Sequence, residues 1–355
     1  MQLDAAGNIP KALTPFEIRW RETVSSGDIK ERMQELQKLQ ALPLAEKISL
    51  TETKIKCWYE SFDGQVAVSF SGGKDSSVLL WLVRRLYPEV PGVFCNTGLE
   101  YPEVVRHVKD TPNVTIMRPK MPFHQVLEKY GYPLVSKKVA RGISILRHPT
   151  GKNQNIYRLY DQGINRFGEK VNGFQVYSRW RFLVDAPFEC SDKCCGIMKK
   201  EPMHRYHQEH GRKQYVGTMA ADSKAREKVY LQQGCNAYDA KEPKSTPMGF
   251  WTEQDVLQAL AEYRIPFPSV YGTIQKSNNG RLCTTGVSRT GCVFCMFAMH
   301  LENSPNRFQR LFHSHPQLHK YCMDKLGLED VLDYVFRKCP DKSVAKKFSI
   351  QRTLF

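Results

Sequence analysis

The stretch "QVAVSFSGGKDSSVLLWLVRRLY", residues 65–87, constrains the fold more than any other part of the chain. Its apolar opening reads as a buried strand, and the apolar positions that recur every three or four residues after Asp75 read as a helix. Strand, glycine turn and helix in that order form the first unit of an α/β fold, with the turn at the strand's carboxyl end. A polyphosphate is held best at such a place, by N–H groups at a helix N-terminus, glycines that admit close approach, and a cation. "SGGKDSS" supplies all three, and it lacks the G-x-x-x-x-G-K-[ST] spacing of a Walker loop.

The alternation continues, with "GVFCN" and "NVTIMRP" as strands and "PEVVRHVKD" and "PFHQVLEKYG" as helices. It resumes later with "PMHRYHQEHG" as helix, "QYVGTM" as strand, "DSKAREKVYLQQG" as helix, and a further helix capped by Thr252. A parallel sheet with helices on both faces is expected, with a nucleotide at the carboxyl ends of its strands. Residues 28–49 carry Ile29, Met33, Leu36 and Leu39 at helical spacing, which predicts one amphipathic helix ahead of the sheet. The division expected is an N-terminal helical segment (1–50), a nucleotide-binding domain (51–275) with an insertion at 137–190, and a cysteine-containing helical region (276–355).

The insertion breaks the rhythm. It is basic and aromatic, with Tyr157, Tyr160, Phe167, Phe174, Tyr177 and Trp180 among its lysines and arginines. Two readings are open, contact with a single-stranded nucleic acid through phosphates and base stacking, or a structural excursion whose cations lie along apolar surface. The net charge of +16 favours polyanionic partners but does not select one. No apolar run is long enough for a membrane helix, and the opening residues lack the pattern of a secretory signal, so a cytoplasmic location is expected.

The chain has 11 cysteines, clustered rather than spread as a secreted disulfide framework would be. "CSDKCCGIMKKEPMHRY" (190–206) and "CTTGVSRTGCVFCMFAMH" (283–300) hold the densest groups, soft thiolates suited to zinc or to an iron–sulfur cluster, which spacing does not separate. Cys57, Cys95, Cys235, Cys322 and Cys339 stand alone and read as packing thiols. The histidines of "FHSHPQLHKY" read as a polar helix start rather than a metal site.

Residue by residue, "SGGKDS" matches the S-G-G-x-D-S signature of the PP-loop (N-type) ATP pyrophosphatases, and "CNTGLEYPE" resembles that family's companion element. The resemblance implies an adenine nucleotide α-hydrolase-like (Rossmann-like) fold. It also implies a site for ATP and Mg²⁺ made by Ser69, Ser71, Gly72, Gly73, Lys74, Asp75, Ser76 and Ser77, with Asn96, Thr97 and Gly98 from the companion element. Lys74 would neutralise phosphate charge, and Asp75 would cap the helix or help hold Mg²⁺.

A narrower resemblance runs over about residues 60–300. "CCGIMKKEP" is similar to the C-C-x-x-x-K-x-x-P element of the adenylyl-sulfate and phosphoadenylyl-sulfate (PAPS) reductase family, and "GTMAADSKAR" to its G-x-x-x-x-[DE]-S-x-x-R element. "GCVFC" falls where assimilatory adenylyl-sulfate reductases have a second cysteine pair. This implies a [4Fe-4S] cluster in the C-terminal region on Cys194, Cys195, Cys292 and Cys295, with Cys190 and Cys283 in reserve. Arg226 and Lys199 match positive positions of that family, and they could grip phosphate or form surface ion pairs.

Two departures redirect the expected function. Reductases of pre-adenylylated sulfate usually have a degenerate glycine loop, whereas "SGGKDSS" is whole; and "KKFSIQRTLF" does not resemble their cysteine-containing tail. An intact ATP loop with an iron–sulfur site resembles tRNA thiolases and the ATP pyrophosphatase of DNA phosphorothioation, to whose cysteine loop "SRTGCVFC" is similar. The expectation is an enzyme that adenylates an acceptor oxygen using Lys74, Asp75 and Arg226 and then transfers sulfur to a nucleic acid (DNA or tRNA). A sulfur-donor protein such as a cysteine desulfurase, and a homo-oligomer or complex, are possible partners under this reading. The alternatives are a reductase that forms sulfite, and a nucleic-acid-binding protein that senses nucleotide.

Overall fold

The computed structural model describes residues 29–240 and 242–350. The described residues divide into two compact units: those within 29–96, 100–118 and 203–290 form the first, and those within 97–99, 119–202 and 291–350 the second.

The first unit opens with helices α1 (Ile29–Ala41) and α2 (Leu44–Ser61). The single helix expected over residues 28–49 is therefore two, because Pro43 has no N–H to donate and serves instead as the cap that starts α2. Then follow β1 (Val66–Ser69), α3 (Lys74–Leu86), β2 (Gly92–Cys95), α4 (Pro102–Asp110) and β3 (Val114–Met117). After the second unit's segment come α5 (Glu201–His210), β4 (Lys213–Val216), α6 (Lys224–Gln233), β5 (Asn236–Ala237), β6 (Lys244–Ser245) and α7 (Glu253–Glu262).

The strands form one sheet in the order β3-β2-β1-β4-β6-β5, parallel except at β5, which runs antiparallel at the edge. Alternation along β1 sorts its side chains to two faces. Val66, Val68 and Phe70 join Trp58, Leu79, Val83, Tyr215, Trp251 and Leu257 in the main core, while Ala67 packs with Val93 and Tyr206 on the other face. Helices therefore cover both faces, as an α/β fold requires. The chain leaves β1 for β2 on one side, and β4 lies on the other, so the loop after β1 sits at the topological switch point.

Several polar groups buried in this core are matched, although Trp58 Nε1 is buried without a hydrogen-bond partner. Lys47, only 2% exposed, places Nζ 2.8 and 2.7 Å from the two carboxylate oxygens of Asp255 and 2.7 Å from the carbonyl of Gln40. Trp251 Nε1 donates to Thr51 Oγ1 at 2.8 Å, and Tyr215 Oη to the carbonyl of Ile55 at 2.8 Å.

In the second unit, the insertion is mainly helical: Lys137–Arg147, Gln154–Gln162 and a 3₁₀ segment, Ser178–Asp185, that buries Trp180 and Leu183. Arg147 ties it together by donating to the carbonyls of Ala186 and Phe188 at 2.9 and 2.7 Å while pairing with Glu189 at 3.1 Å. A two-stranded parallel pair joins Leu134–Val135 to Met296–Phe297. Helices Arg307–Ser314 and Leu328–Lys338 follow, the first capped by Asn306. No helix among the described residues is long and apolar enough to cross a membrane.

Candidate functional site

The phosphate loop is shaped by two glycines for different reasons. Gly72 has φ +72°, in the left-handed region, and a Cβ there would lie 2.6 Å from Val108 Cγ2 and 2.9 Å from Val104 Cγ1 on α4. Gly73 is extended and caps α3, but a Cβ would lie 2.9 Å from Thr290 Oγ1 and 3.1 Å from Tyr271 Oη.

The loop's hydroxyls are already organised. Ser71 Oγ and Ser76 Oγ are 3.0 Å apart, Ser76 Oγ donates to the Gly73 carbonyl at 2.9 Å, and Ser77 Oγ is 3.1 Å from His107 Nε2. Ser69 points elsewhere, its hydroxyl donating to Gln214 Oε1 on β4 at 2.7 Å.

Lys74 is 4% exposed, with Nζ 3.3 Å from Asp75 Oδ1, 3.3 Å from Glu253 Oε1 and 3.3 Å from the Ser288 carbonyl. Burial alone would lower its pKa, but Asp75, Tyr271 and Glu253 outweigh burial and raise it, so the ammonium stays charged. Burial raises the pKa of Asp75 against the pull of Lys74, with Asp222 and Glu253 adding to the rise. Asp75 Oδ1 is buried against Lys74 Nζ at 3.3 Å, a carboxylate oxygen of the kind that suits Mg²⁺.

Three further residues close on the loop, and reading the sequence for motifs missed all of them. Tyr271 Oη accepts from the Lys74 N–H at 3.3 Å and is 2.8 Å from Thr290 Oγ1, while the Ser288 carbonyl meets the lysine. Ser288 and Thr290 lie in the "GVSRTGC" run ahead of the cysteine pair, which suggested cysteine chemistry rather than contact with a loop some 200 residues earlier, and Tyr271 lies outside that run.

The "GTMAADSKAR" element passes beside the same helix start, with a Cβ on Gly217 meeting the Asp75 carbonyl at 3.4 Å. Ser223 caps α6 through the Arg226 N–H, and Asp222 takes an ion pair from Arg226 on one oxygen and from Arg289, at 3.6 Å, on the other. Arg226 is thus linked to the loop's surroundings through Asp222. Asn96 donates its N–H to the Met117 carbonyl at 2.8 Å; Thr97 and Gly98 belong to the second unit, where Thr97 Oγ1 accepts from Leu99 N at 3.2 Å and Gly98 has φ +74°.

All four cysteines assigned to a cluster lie in the second unit. Cys194 and Cys195 precede a π-helical turn, Gly196–Lys200, and the Cys295 N–H donates to the Cys292 carbonyl at 3.1 Å in a tight turn. The Cys194 thiol donates to Cys195, which raises the pKa of Cys194, with burial and the proximity of Cys195, Cys295 and Cys292 adding to the rise. That same bond lowers Cys195 to about 6, helped by Lys137 and Lys199. Burial raises Cys295, opposed by the Phe297 backbone and by Arg307.

Cys194 lies within electrostatic reach of Cys195, Cys292 and Cys295, and Lys137, Lys199 and Arg307 act on these thiols, a soft donor set of the chemical type that an anionic iron–sulfur cluster takes. Among the described residues, no group of three or more His, Cys, Asp or Glu is drawn together closely enough to grip a single metal ion. Of the reserves, Cys190 is buried and pushed up to about 12, and Cys283 lies on the strand Leu282–Thr284 of the first unit.

Residues 65–133 match the family described as phosphoadenosine phosphosulfate reductase domain, and the resemblance to PAPS reductase-like proteins holds over that segment. An uncharacterised protein of Methanocaldococcus jannaschii, MJ0066, is 38% identical over 84 residues, covering 22% of this chain and 18% of its own length. A second from the same organism, MJ0973, is 34% identical over 87 residues, covering 22% of this chain and 21% of its own. This chain thus spans about a fifth of the curated relatives it matches. A solved structure of PAPS reductase from Candida auris, in a phosphate complex, aligns with a TM-score of 0.36 at 15% identity, over 63% of this chain and 87% of that one.

Proposed function

With residues 65–133 similar to the phosphoadenosine phosphosulfate reductase domain, we propose that this chain is a PP-loop ATP pyrophosphatase that adenylates an acceptor oxygen on a nucleic acid and replaces that oxygen with sulfur. The observation that carries the reading is the whole "SGGKDSS" loop at the switch point, with a charged Lys74 beneath it. A site that held only a pre-formed adenylate would have no pyrophosphate to cradle.

In the proposed reaction the acceptor oxygen attacks the α-phosphorus of ATP, the bond from that phosphorus to the bridging oxygen of the β-phosphate breaks, and pyrophosphate leaves. Ser71, Ser76 and Ser77 and the N–H groups of the helix start orient the leaving phosphates, while Lys74 offsets their charge. Asp75 would hold Mg²⁺, which would supply positive charge to offset that of the phosphates. Arg226, released from Asp222, would meet the adenylate phosphate. Cys194, Cys195, Cys292 and Cys295 would hold an iron–sulfur cluster, whose chemistry when bound would be a source of sulfide for the replacement, with AMP as the leaving group. Lys137 and Lys199 would steady negative charge there, and a cysteine desulfurase or similar persulfide donor, together with a dithiol that gives up two electrons, would restore the sulfide.

The test is pyrophosphate release from ATP and Mg²⁺, with and without RNA or DNA. Release stimulated by one of them is expected, and K74A should lower the rate by about 10²–10³-fold, the usual effect of losing one preorganised charge-stabilising group. ATP binding without cleavage under every condition would refute the proposal. Sulfite formation from adenylyl sulfate and a thiol would instead favour the reductase reading, which the description of the matched domain supports.

A further inference from the structure

A small cavity of about 170 Å³ opens in the second unit, with Lys138, Phe174, Tyr177, Arg179, Trp180 and His300 in its lining and none of the four cysteines among the lining residues. The local sequence builds it in a few steps. Ser136 caps the helix Lys137–Arg147 through the Val139 N–H, which sets Lys138 in the first turn. Gly142 lets the chain at Val176 lie close against this helix, since a Cβ there would come 2.6 Å from Val176 Cγ2 and 2.7 Å from Tyr160 Cδ1. Trp180 then turns inward on the 3₁₀ segment and is 1% exposed, while Phe174 and Tyr177 stay 42% and 58% exposed at the mouth.

Each aromatic ring of the lining carries a cation. Lys138 Nζ is 5.5 Å from the Phe174 ring centre, and the Arg179 guanidinium is 5.8 Å from that of Tyr177 and 5.7 Å from that of Trp180. His300 stands edge-on to Trp180 at 5.6 Å, and its Nδ1 is buried with no hydrogen-bond partner. A buried polar atom left unpaired is rare, and it points to a missing partner. Burial and the nearby Arg179 lower the pKa of His300, so the ring presents a neutral hydrogen-bonding edge.

Size limits the occupant. At ~30 Å³ per water, the cavity holds the equivalent of about six waters, the scale of a single heterocyclic ring rather than of a whole nucleotide. Aromatic faces, phosphate-seeking cations at the rim and one neutral hydrogen-bonding nitrogen form the set that receives an unstacked base. The cavity also adjoins the sulfur chemistry in sequence and structure. Lys137, the neighbour of Lys138, hydrogen-bonds Cys195, and Val135 pairs with Phe297, two residues after Cys295.

We infer that this cavity receives one unstacked base of a single-stranded nucleic acid, between Phe174 and Tyr177 at the mouth and Trp180 and His300 inside, with the flanking phosphates on Lys138 and Arg179. The inference rests on the reading of a nucleic acid as acceptor, and it names the form in which the strand is held.

The experiment uses the full chain and single strands of one sequence, made as RNA and as DNA, with 2-aminopurine at one position and a fluorescent label at the end. A blunt duplex is the control. Single strands should bind at least tenfold tighter than the duplex and quench 2-aminopurine fluorescence; the arm that binds tighter identifies RNA or DNA. F174A and Y177A should each weaken binding about tenfold and relieve the quenching, F174W should preserve both, and K138A and R179A should each lower the salt slope by about one. Equal binding of duplex and single strand, or unchanged affinity and quenching in F174A and Y177A, would overturn the pocket. Pyrophosphate release from ATP and Mg²⁺, measured on the same samples with and without each strand, separates the two ideas. Its absence beside intact quenching supports the pocket while removing the enzyme reading, and its presence without quenching does the reverse.

Discussion

The hydroxyl of Ser77 lies 3.1 Å from Nε2 of His107, which joins the phosphate loop to helix α4 across 30 residues of chain. Burial lowers the pKa of His107, partly opposed by Asp110, so the folded protein favours the neutral ring. With its folded pKa below the unfolded value of ~6.5, the unfolded chain takes up more protons as pH falls, and stability drops through that window. Half-buried His207 and His300 are shifted the same way. The melting temperature should therefore fall as pH is lowered through 6.5 and below, and H107Q should flatten part of that slope. An unchanged slope in H107Q would show that His107 titrates as it does when unfolded.

Gly72 and Gly98 both have left-handed backbones, at φ +72° and +74°, but only Gly72 is crowded by side chains; nothing lies within 4 Å of a Cβ on Gly98. G98A should cost about 1–2 kcal/mol for the backbone alone. G72A adds a collision with Val104 and Val108 worth about 1–3 kcal/mol more, and it should also weaken ATP binding. Urea unfolding of the two variants checks the order.

Cys194, Cys195, Cys292 and Cys295 should be needed for bound iron, whereas Cys190 and Cys283 should not. Iron and sulfide content after anaerobic purification should fall sharply in each of the four single serine variants and stay near the parent level in C190S and C283S. A colourless protein loaded with zinc would remove the cluster assignment while leaving the four-thiol site.

The Lys47–Asp255 pair joins α2 to α7 inside the core, with side chains 2% and 10% exposed. Removing one partner leaves a buried charge, so K47M should destabilise by about 3–5 kcal/mol. Asp255 also accepts from the Thr252 N–H at 2.7 Å, so D255N should in addition weaken the start of α7. The double variant should lose less than the sum of the two, which a double-mutant cycle in urea would measure.

What could be read in advance was local. The period of "QVAVSF" and "DSSVLLWLVRRLY" reports which positions are buried, and the glycines between them mark where the backbone must turn. Pro43 also announced a helix boundary, but the apolar spacing of residues 28–49 runs on to either side of it, and that spacing led to a single helix. The antiparallel edge strand Asn236–Ala237 was too short to leave a pattern.

By itself, then, the sequence determined a strand, a glycine loop and a helix in that order, a mainly parallel sheet, and two groups of cysteines. Only the tertiary structure decided what meets the cradle. Tyr271, Ser288 and Thr290 reach Gly73 and Lys74, Glu253 comes to the lysine, and His107 comes to Ser77. It also decided that Lys137 stands beside Cys195 and that Phe174, Tyr177 and Trp180 line one cavity. The physical reason is that periodicity records which face of an element is covered, whereas the partner that covers it is chosen by packing over the whole unit.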